Sequence, residues 1–332
     1  MAGFFNLFSG KKQELTGQQE GAYSFDLLCG GASVRIDRLK DSGRFRGSAI
    51  PKKLSDVTAT DNAKDIRPYS NGECPHLQSY LKSKRISIIE CIDLPNGEDL
   101  LTQACVYVGN NYDITRGILE QIKSRISKAY FDPRKTKFSY PPPEILNITD
   151  SEYREIRQMG QKLSDYGIIN SFKASDDRKV ITYKLSEKTI VRQLITGTWL
   201  EQYAAVNAEN TVREFCEKHG YHFEMLCDTA VQEIVNSNRH ELDLVFTVED
   251  KFFAMEFKSG ENSPVYTDYV TLCEKVLKLP KSQFLMFIST LGDKHDLRKL
   301  RGKYGLRFAN MNTFTQEIVE MLNEAFGISE TE

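Results

Sequence analysis

The sequence predicts an α/β protein whose C-terminal part has the order helix, three strands, helix, strand (αβββαβ). A small helix-and-hairpin module and an N-terminal α/β domain precede it. Three observations carry this reading. A helical pattern from about Thr198 to His219 stops at Gly220, a residue suited to end a helix. Two runs rich in β-branched and aromatic residues, Leu242–Val248 and Lys251–Phe257, are separated only by Glu249-Asp250. Farther on, Gln283–Ser289 contains the run Phe-Leu-Met-Phe-Ile of a buried strand.

Composition sets modest bounds. A chain of 332 residues with 40% hydrophobic and 27% charged residues can bury ample core and divides into two or three domains. Its net charge of −2 advertises no nucleic-acid partner, so any basic groove must be local. No run is long enough to span a bilayer, and Phe4-Phe5-Asn6-Leu7-Phe8 is too short for a signal-peptide core. The seven cysteines are scattered without a CxxC, which points to reduced thiols and a cytoplasmic setting. Cys74-Pro75-His76 lacks a second pair at zinc spacing and reads as structural or incidental.

Residues 1–140 read as an N-terminal α/β domain with a regulatory or recognition role. Up to residue 85 they are mostly polar loop, with strands expected at Tyr23–Cys29 and Ser33–Leu39 and a basic cluster from Arg35 to Lys53 that reads as solvated surface, with phosphate contact the alternative. Ile86–Ile92 and Ala104–Val108 read as strands, and Thr115–Tyr130 as an amphipathic helix. Between them, Gly109-Asn-Asn-Tyr-Asp-Ile-Thr-Arg116 forms a loop at a helix N-terminus, where backbone N–H groups favour an anion. Asn110, Asn111 and Arg116 are its candidate ligand-binding residues. Pro141-Pro142-Pro143 then marks a stiff linker.

The module at 145–195 begins with capping-box spacing, Thr149-Asp-Ser-Glu152, and a helix that runs to Tyr166 and stops at Gly167. Ile168–Lys173 and Val180–Leu185 form a hairpin, and Ser186 opens another helix. From 196 to 330 the αβββαβ order is completed by helices at Tyr266–Leu279, Asp293–Tyr304 and Phe314–Ala325, with a short strand at Leu306–Asn310.

Within that order the hairpin holds the chemistry. A two-residue turn at Glu249-Asp250 sets Val248 against Lys251, Asp243 against Glu256 and Glu241 against Lys258. Carboxylates placed opposite each other repel unless a cation sits between them. Asp, Glu and a backbone carbonyl make a hard, all-oxygen site suited to Mg²⁺ or Mn²⁺, with Lys258 able to orient or help deprotonate a water. The bland alternative is a solvated hairpin with exposed ion pairs worth little. The apolar run Phe252-Phe253-Ala254-Met255 speaks instead for a central strand.

Asp243 followed by Glu256-Phe257-Lys258 resembles the D…E-x-K signature of the PD-(D/E)XK nuclease superfamily, whose restriction-endonuclease-like core has the element order read above. The resemblance covers about residues 198–325. It implies metal ligation by Asp243, Glu256 and the Phe257 carbonyl, and a catalytic Lys258. The module at 145–195 looks like the second half of a winged helix. Arg178 and Lys179 would sit at its wing, where nucleic-acid phosphates are touched, although its mixed charge favours a spacer role. Gly197-Thr-Trp-Leu-Glu201 is similar to the opening of the nuclease domain in CRISPR-associated CARF/winged-helix/nuclease effectors activated by cyclic oligoadenylates. That similarity implies a helix carboxylate at Glu201, a cyclic nucleotide activator and a role in prokaryotic antiviral defence; a homodimer is expected because a single metal hairpin cuts one strand. The reading is a metal-dependent nuclease acting on DNA or RNA. The alternatives are a restriction-type enzyme with an N-terminal target reader, or a non-catalytic nucleic-acid-binding regulator.

Overall fold

The molecule is described from a computed structural model, which covers residues 24–29, 32–37, 67–69, 72–117, 119, 137–140, 150–174, 181–186, 191, 193–260, 263–292 and 294–329. Its centre is a mixed seven-stranded sheet. The strands are β3 (Arg67–Pro68), β4 (Ile86–Ile92), β8 (Phe223–Glu233), β9 (Arg239–Val248), β10 (Lys251–Lys258), β11 (Phe284–Ile288) and β12 (Arg307–Ala309), and the sheet runs β12-β11-β10-β9-β8-β4-β3. The pairs β10–β11 and β11–β12 are parallel, and the remaining pairs are antiparallel. Two smaller sheets stand apart. β1 (Ser24–Cys29) and β2 (Ala32–Asp37) make a hairpin, while β5 (Lys137–Tyr140), β7 (Ile181–Leu185) and β6 (Ile169–Ala174) line up in the order β5-β7-β6.

Helices cover both faces of the large sheet. On one face α2 (Leu100–Asn110), α4 (Trp199–His219) and α7 (Phe314–Phe326) pack on Met225, Phe246, Phe253, Met255, Phe257 and Phe287. On the other, α1 (Pro75–Ser83), α5 (Ser263–Thr271) with the π-helical turns Leu272–Leu277, and α6 (Lys294–Tyr304) pack on Leu226, Val245, Phe252, Ala254, Met286 and Phe308. Alternation along β10 explains the split: odd residues face α4 and even residues face α5. Because both faces are covered, Phe252 to Phe257 are all buried, as the uninterrupted apolar run requires.

The expected hairpin is present in its expected register, with Val248 opposite Lys251. Glu249 adopts φ 52° while Asp250 keeps φ negative, the pattern of a type II′ turn made without glycine. The Glu249 side chain accepts from the His222 N–H at 2.6 Å, which ties the turn to the start of β8. Gly220 ends α4 at φ 69°.

Two expectations are corrected. Ala104–Val108 is not a strand but the middle of α2. Its buried positions Thr102, Ala104, Cys105, Val108 and Gly109 recur at helical spacing, and a short apolar run does not by itself distinguish the two periods. Gly109 is therefore no loop glycine. It lies under Tyr203 of α4, and a methyl group there would overlap the Tyr203 ring.

The expected domain boundary at 140 also fails to match the sheet. β3 and β4, from the N-terminal third, extend the same sheet as β8, and α1 and α2 cover it. The module around α3 (Asp150–Asp165) has the expected helix and hairpin, with β5 as a third strand. Its buried Tyr153, Ile156, Met159, Leu163 and Tyr183 are continuous with the core beneath α4. Arg178, Lys179, the triple proline and most of the helix expected at Thr115–Tyr130 lie outside the described residues. Among the described residues no helix is long and apolar enough to cross a membrane, and no cysteine pair forms a disulfide.

Candidate active site

β9 follows β8 along its whole length, with pairs from Phe223–Val248 to Gln232–Arg239. Its ladder with β10 stops much earlier, at Leu244–Met255. The two strands therefore part beyond Leu244, and Asp243 stands at the fork. The Phe257 N–H, freed from the ladder, donates to Asp243 Oδ2 at 2.7 Å. On the other side β10 continues beside β11 to Lys258–Ile288, and the Ser289 N–H donates to the Lys258 carbonyl at 3.0 Å. The site is held between a strand pair that opens and one that stays closed.

Three polar side chains meet there on the α5 face. Lys258 Nζ donates to Glu256 Oε1 at 2.7 Å and lies 3.7 Å from Asp243 Oδ2. The expected partnership of Lys258 with Glu241 gives way to these two, since the strands have separated before Glu241 is reached. The Glu256 side chain is only 5% exposed, and among the described residues no donor reaches its buried Oε2. Burial and then the Asp243 charge push the Glu256 carboxyl well above the ordinary carboxylate range, against the pull of Lys258. For Lys258, burial disfavours the charge, but Glu256 and Asp243 outweigh it and raise the ammonium well above its usual value.

Tyr269 of α5 closes the site from above, with its ring centroid 5.5 Å from Lys258 Nζ. Burial first, and then the Glu256 charge, raise its phenol far above the normal value, so the ring stays neutral. Sequence reasoning passed over Tyr269 because nothing in its neighbours marks it; only the packing of α5 brings it to Lys258. Tyr112 was missed for the same reason. Its hydroxyl lies 3.4 Å from Ser289 Oγ at the end of β11, and its ring stacks on Trp199 at 5.3 Å.

The other candidates fall elsewhere. Glu201 sits half-buried in the first turn of α4. The Trp199–Tyr112–Ser289 contacts place that turn at the Lys258 end of the sheet, but α4 covers the opposite face. Asn110 is the last residue of α2, at the carbonyl end of a helix, and the Asn111 side-chain amide donates back to the Tyr107 carbonyl at 2.8 Å. The strand–loop–helix anion site expected from Asn110, Asn111 and Arg116 is thus not formed, because no strand precedes it. Arg116 is exposed on the helical segment that follows Asn111.

The donor set decides which ion suits the site. Among the described residues no group of three or more His, Cys, Asp and Glu side chains gathers to hold a metal. Asp243 and Glu256 offer only oxygen, main chain and water must complete the shell, and no described donor reaches the buried Oε2 of Glu256. Hard, partly hydrated ions of the Mg²⁺ and Mn²⁺ kind fit that set, whereas a closed zinc site does not.

Compared with families of known proteins and with curated proteins, the chain matches none. Among solved structures, protein VC1899 from Vibrio cholerae aligns with a TM-score of 0.47 and 15% identity, over 76% of this chain and 61% of its own. Can2 from Sulfobacillus thermosulfidooxidans, solved in complex with cyclic tetra-adenylate, aligns with a TM-score of 0.47 and 12% identity, over 74% of this chain and 60% of its own. The chain spans about three fifths of the length of each, and likeness at this level assigns it neither fold nor function.

Proposed function

We propose that the protein is a metal-dependent nuclease of the PD-(D/E)XK type, hydrolysing phosphodiester bonds of DNA or RNA. The observation that carries this reading is the fork at Asp243. Two carboxylates and a lysine converge where the strands part, and among the described residues a buried carboxylate oxygen is left without a donor. A chain gains nothing in stability from such an oxygen, and functional sites are where this cost is tolerated.

Asp243 and Glu256 would hold Mg²⁺ or Mn²⁺ together with the Phe257 carbonyl. When bound, the ion supplies positive charge for the phosphate and acidifies a water. Asp243 keeps β10 in place through the Phe257 N–H while its carboxylate faces the site. Lys258, still 35% exposed, has three donors with which to orient a water or meet charge developing on phosphate oxygen. Glu201, at the same end of the sheet, is proposed to support the site across its rim.

Purified protein should cut plasmid DNA or single-stranded RNA with Mg²⁺ or Mn²⁺, stop with a chelator, and recover with Mn²⁺. Ca²⁺ should bind without supporting turnover. Glu256→Ala and Lys258→Ala should each lower the rate by about a hundredfold or more while leaving the fold intact. Wild-type cleavage by the double variant would sink the assignment. The ion pair already made by Lys258 favours one rival, a nucleic-acid-binding regulator without chemistry. Binding of both substrates with no cleavage under any metal would establish it. Adding cyclic oligoadenylates and measuring the mass in solution tests the proposed ligand gate and homodimer; a monomer with full, ligand-independent activity removes both and leaves the nuclease reading intact.

A further inference from the structure

The two carboxylates at the fork already share a cation. Lys258 Nζ, at 2.7 Å from Glu256 Oε1 and 3.7 Å from Asp243 Oδ2, holds the charge that a divalent ion would need. An ammonium and a doubly charged cation repel at such range, and more strongly away from water. Lys258 must therefore leave the carboxylates when an ion takes them, and its stem, anchored in β10, limits how far it can go.

Tyr269 is an electron-rich group within that reach. Its ring centroid lies 5.5 Å from Nζ, inside the range of about 6 Å over which a ring face attracts a cation. The ring is itself steadied. It packs against the buried cluster beneath α5 and meets the Phe284 ring at 6.1 Å. A ring face also suits this role better than a third carboxylate would. It adds no formal charge to compete for the ion, and its hold is weak enough for the lysine to return toward a water or a phosphate.

We infer that Tyr269 is a positioning residue that receives the Lys258 ammonium when a divalent ion occupies Asp243 and Glu256, and so keeps the lysine beside the site. This deepens the metal-dependent reading above and rests on it.

The test is Mn²⁺ binding to the full chain without nucleic acid, followed by the paramagnetic resonance signal of the free ion. Tyr269→Leu removes the second position, so the ammonium stays on the carboxylates and binding weakens roughly three- to thirtyfold. Tyr269→Phe keeps the ring and binds within about twofold of wild type. Lys258→Met removes the competitor altogether, and in that background Tyr269→Leu changes nothing. If Tyr269 merely shaped its surroundings, Tyr269→Leu would weaken binding equally with Lys258 present or replaced. That result, or unweakened binding by Tyr269→Leu with Lys258 in place, overturns the inference and leaves the metal site standing. Absence of Mn²⁺ binding by both the wild-type and the Lys258→Met chains overturns the metal site and the inference together.

Discussion

Glu256 sits where burial and a second carboxylate tighten its hold on a proton. Burial and the neighbouring Asp243 raise its carboxyl, and Lys258 only partly opposes them. A carboxyl raised in the folded state binds its proton more tightly there than in the unfolded chain. Its contribution is therefore favourable below the ordinary carboxylate value and is lost as pH climbs through the raised one. In chelator, the melting temperature of the wild type should fall relative to Glu256→Gln as pH rises above the ordinary carboxylate range. Mg²⁺ should narrow that gap by binding the ionised form of the folded protein. A gap that ignores pH would mean that Glu256 titrates normally. The residues at the fork were legible in the sequence because they follow one another along two short strands with a two-residue turn. Tyr269 was not, because it reaches Lys258 from a helix whose placement depends on the whole α5 face.

At the scale of elements, the contact of α2 with α4 is the least expected. Gly109 is buried inside α2, a position where glycine costs about 1 kcal/mol relative to alanine. It is explained by the Tyr203 ring, which occupies the space a side chain would need. Gly109→Ala should thus destabilise the protein by about 1–2 kcal/mol in a urea titration, since overpacking outweighs the helix gain. With Tyr203→Ala as the background, the same change should become neutral or stabilising. Stabilisation by Gly109→Ala in the wild-type background would refute the close approach. β12 and α7 are joined differently, by Arg307. That residue is only 2% exposed and donates to the Ser282 carbonyl and to the carboxylates of Glu317 and Glu324.

For the molecule as a whole, the sheet crosses the boundary that linker composition indicates. α1 contributes Leu77 and Leu81, both fully buried, and β4 contributes Ile86 and Cys91. A fragment of residues 196–332 lacks all of them and exposes the edge of β8, with its Leu226 and Val231, where β4 now pairs. Such an edge invites pairing with other chains. The fragment should aggregate or unfold without a cooperative transition, while the full chain unfolds cooperatively. A soluble 196–332 fragment with a sharp transition would show that the C-terminal part is a domain in its own right. The proposed nuclease would then be separable from the N-terminal third.

The sequence by itself determined what depends on neighbours along the chain. It placed α4 and its Gly220 stop, the β9–β10 turn and its register up to Leu244–Met255, and the buried β11. Each rests on local geometry, namely the period of side chains, the reach of a turn or the conformational freedom of glycine. Only the tertiary structure decided what depends on distant partners. Ala104–Val108 is apolar enough for either period, and it became a helix because Tyr203 and the core beneath α4 receive a helical face. β4 pairs with β8 across more than a hundred residues, which no local pattern encodes. Lys258 chose Glu256 and Asp243 over Glu241 because the strands part at Leu244. A two-strand register read from sequence assumes that the ladder continues, and here competition between β8 and β11 for the flanking strands ends it.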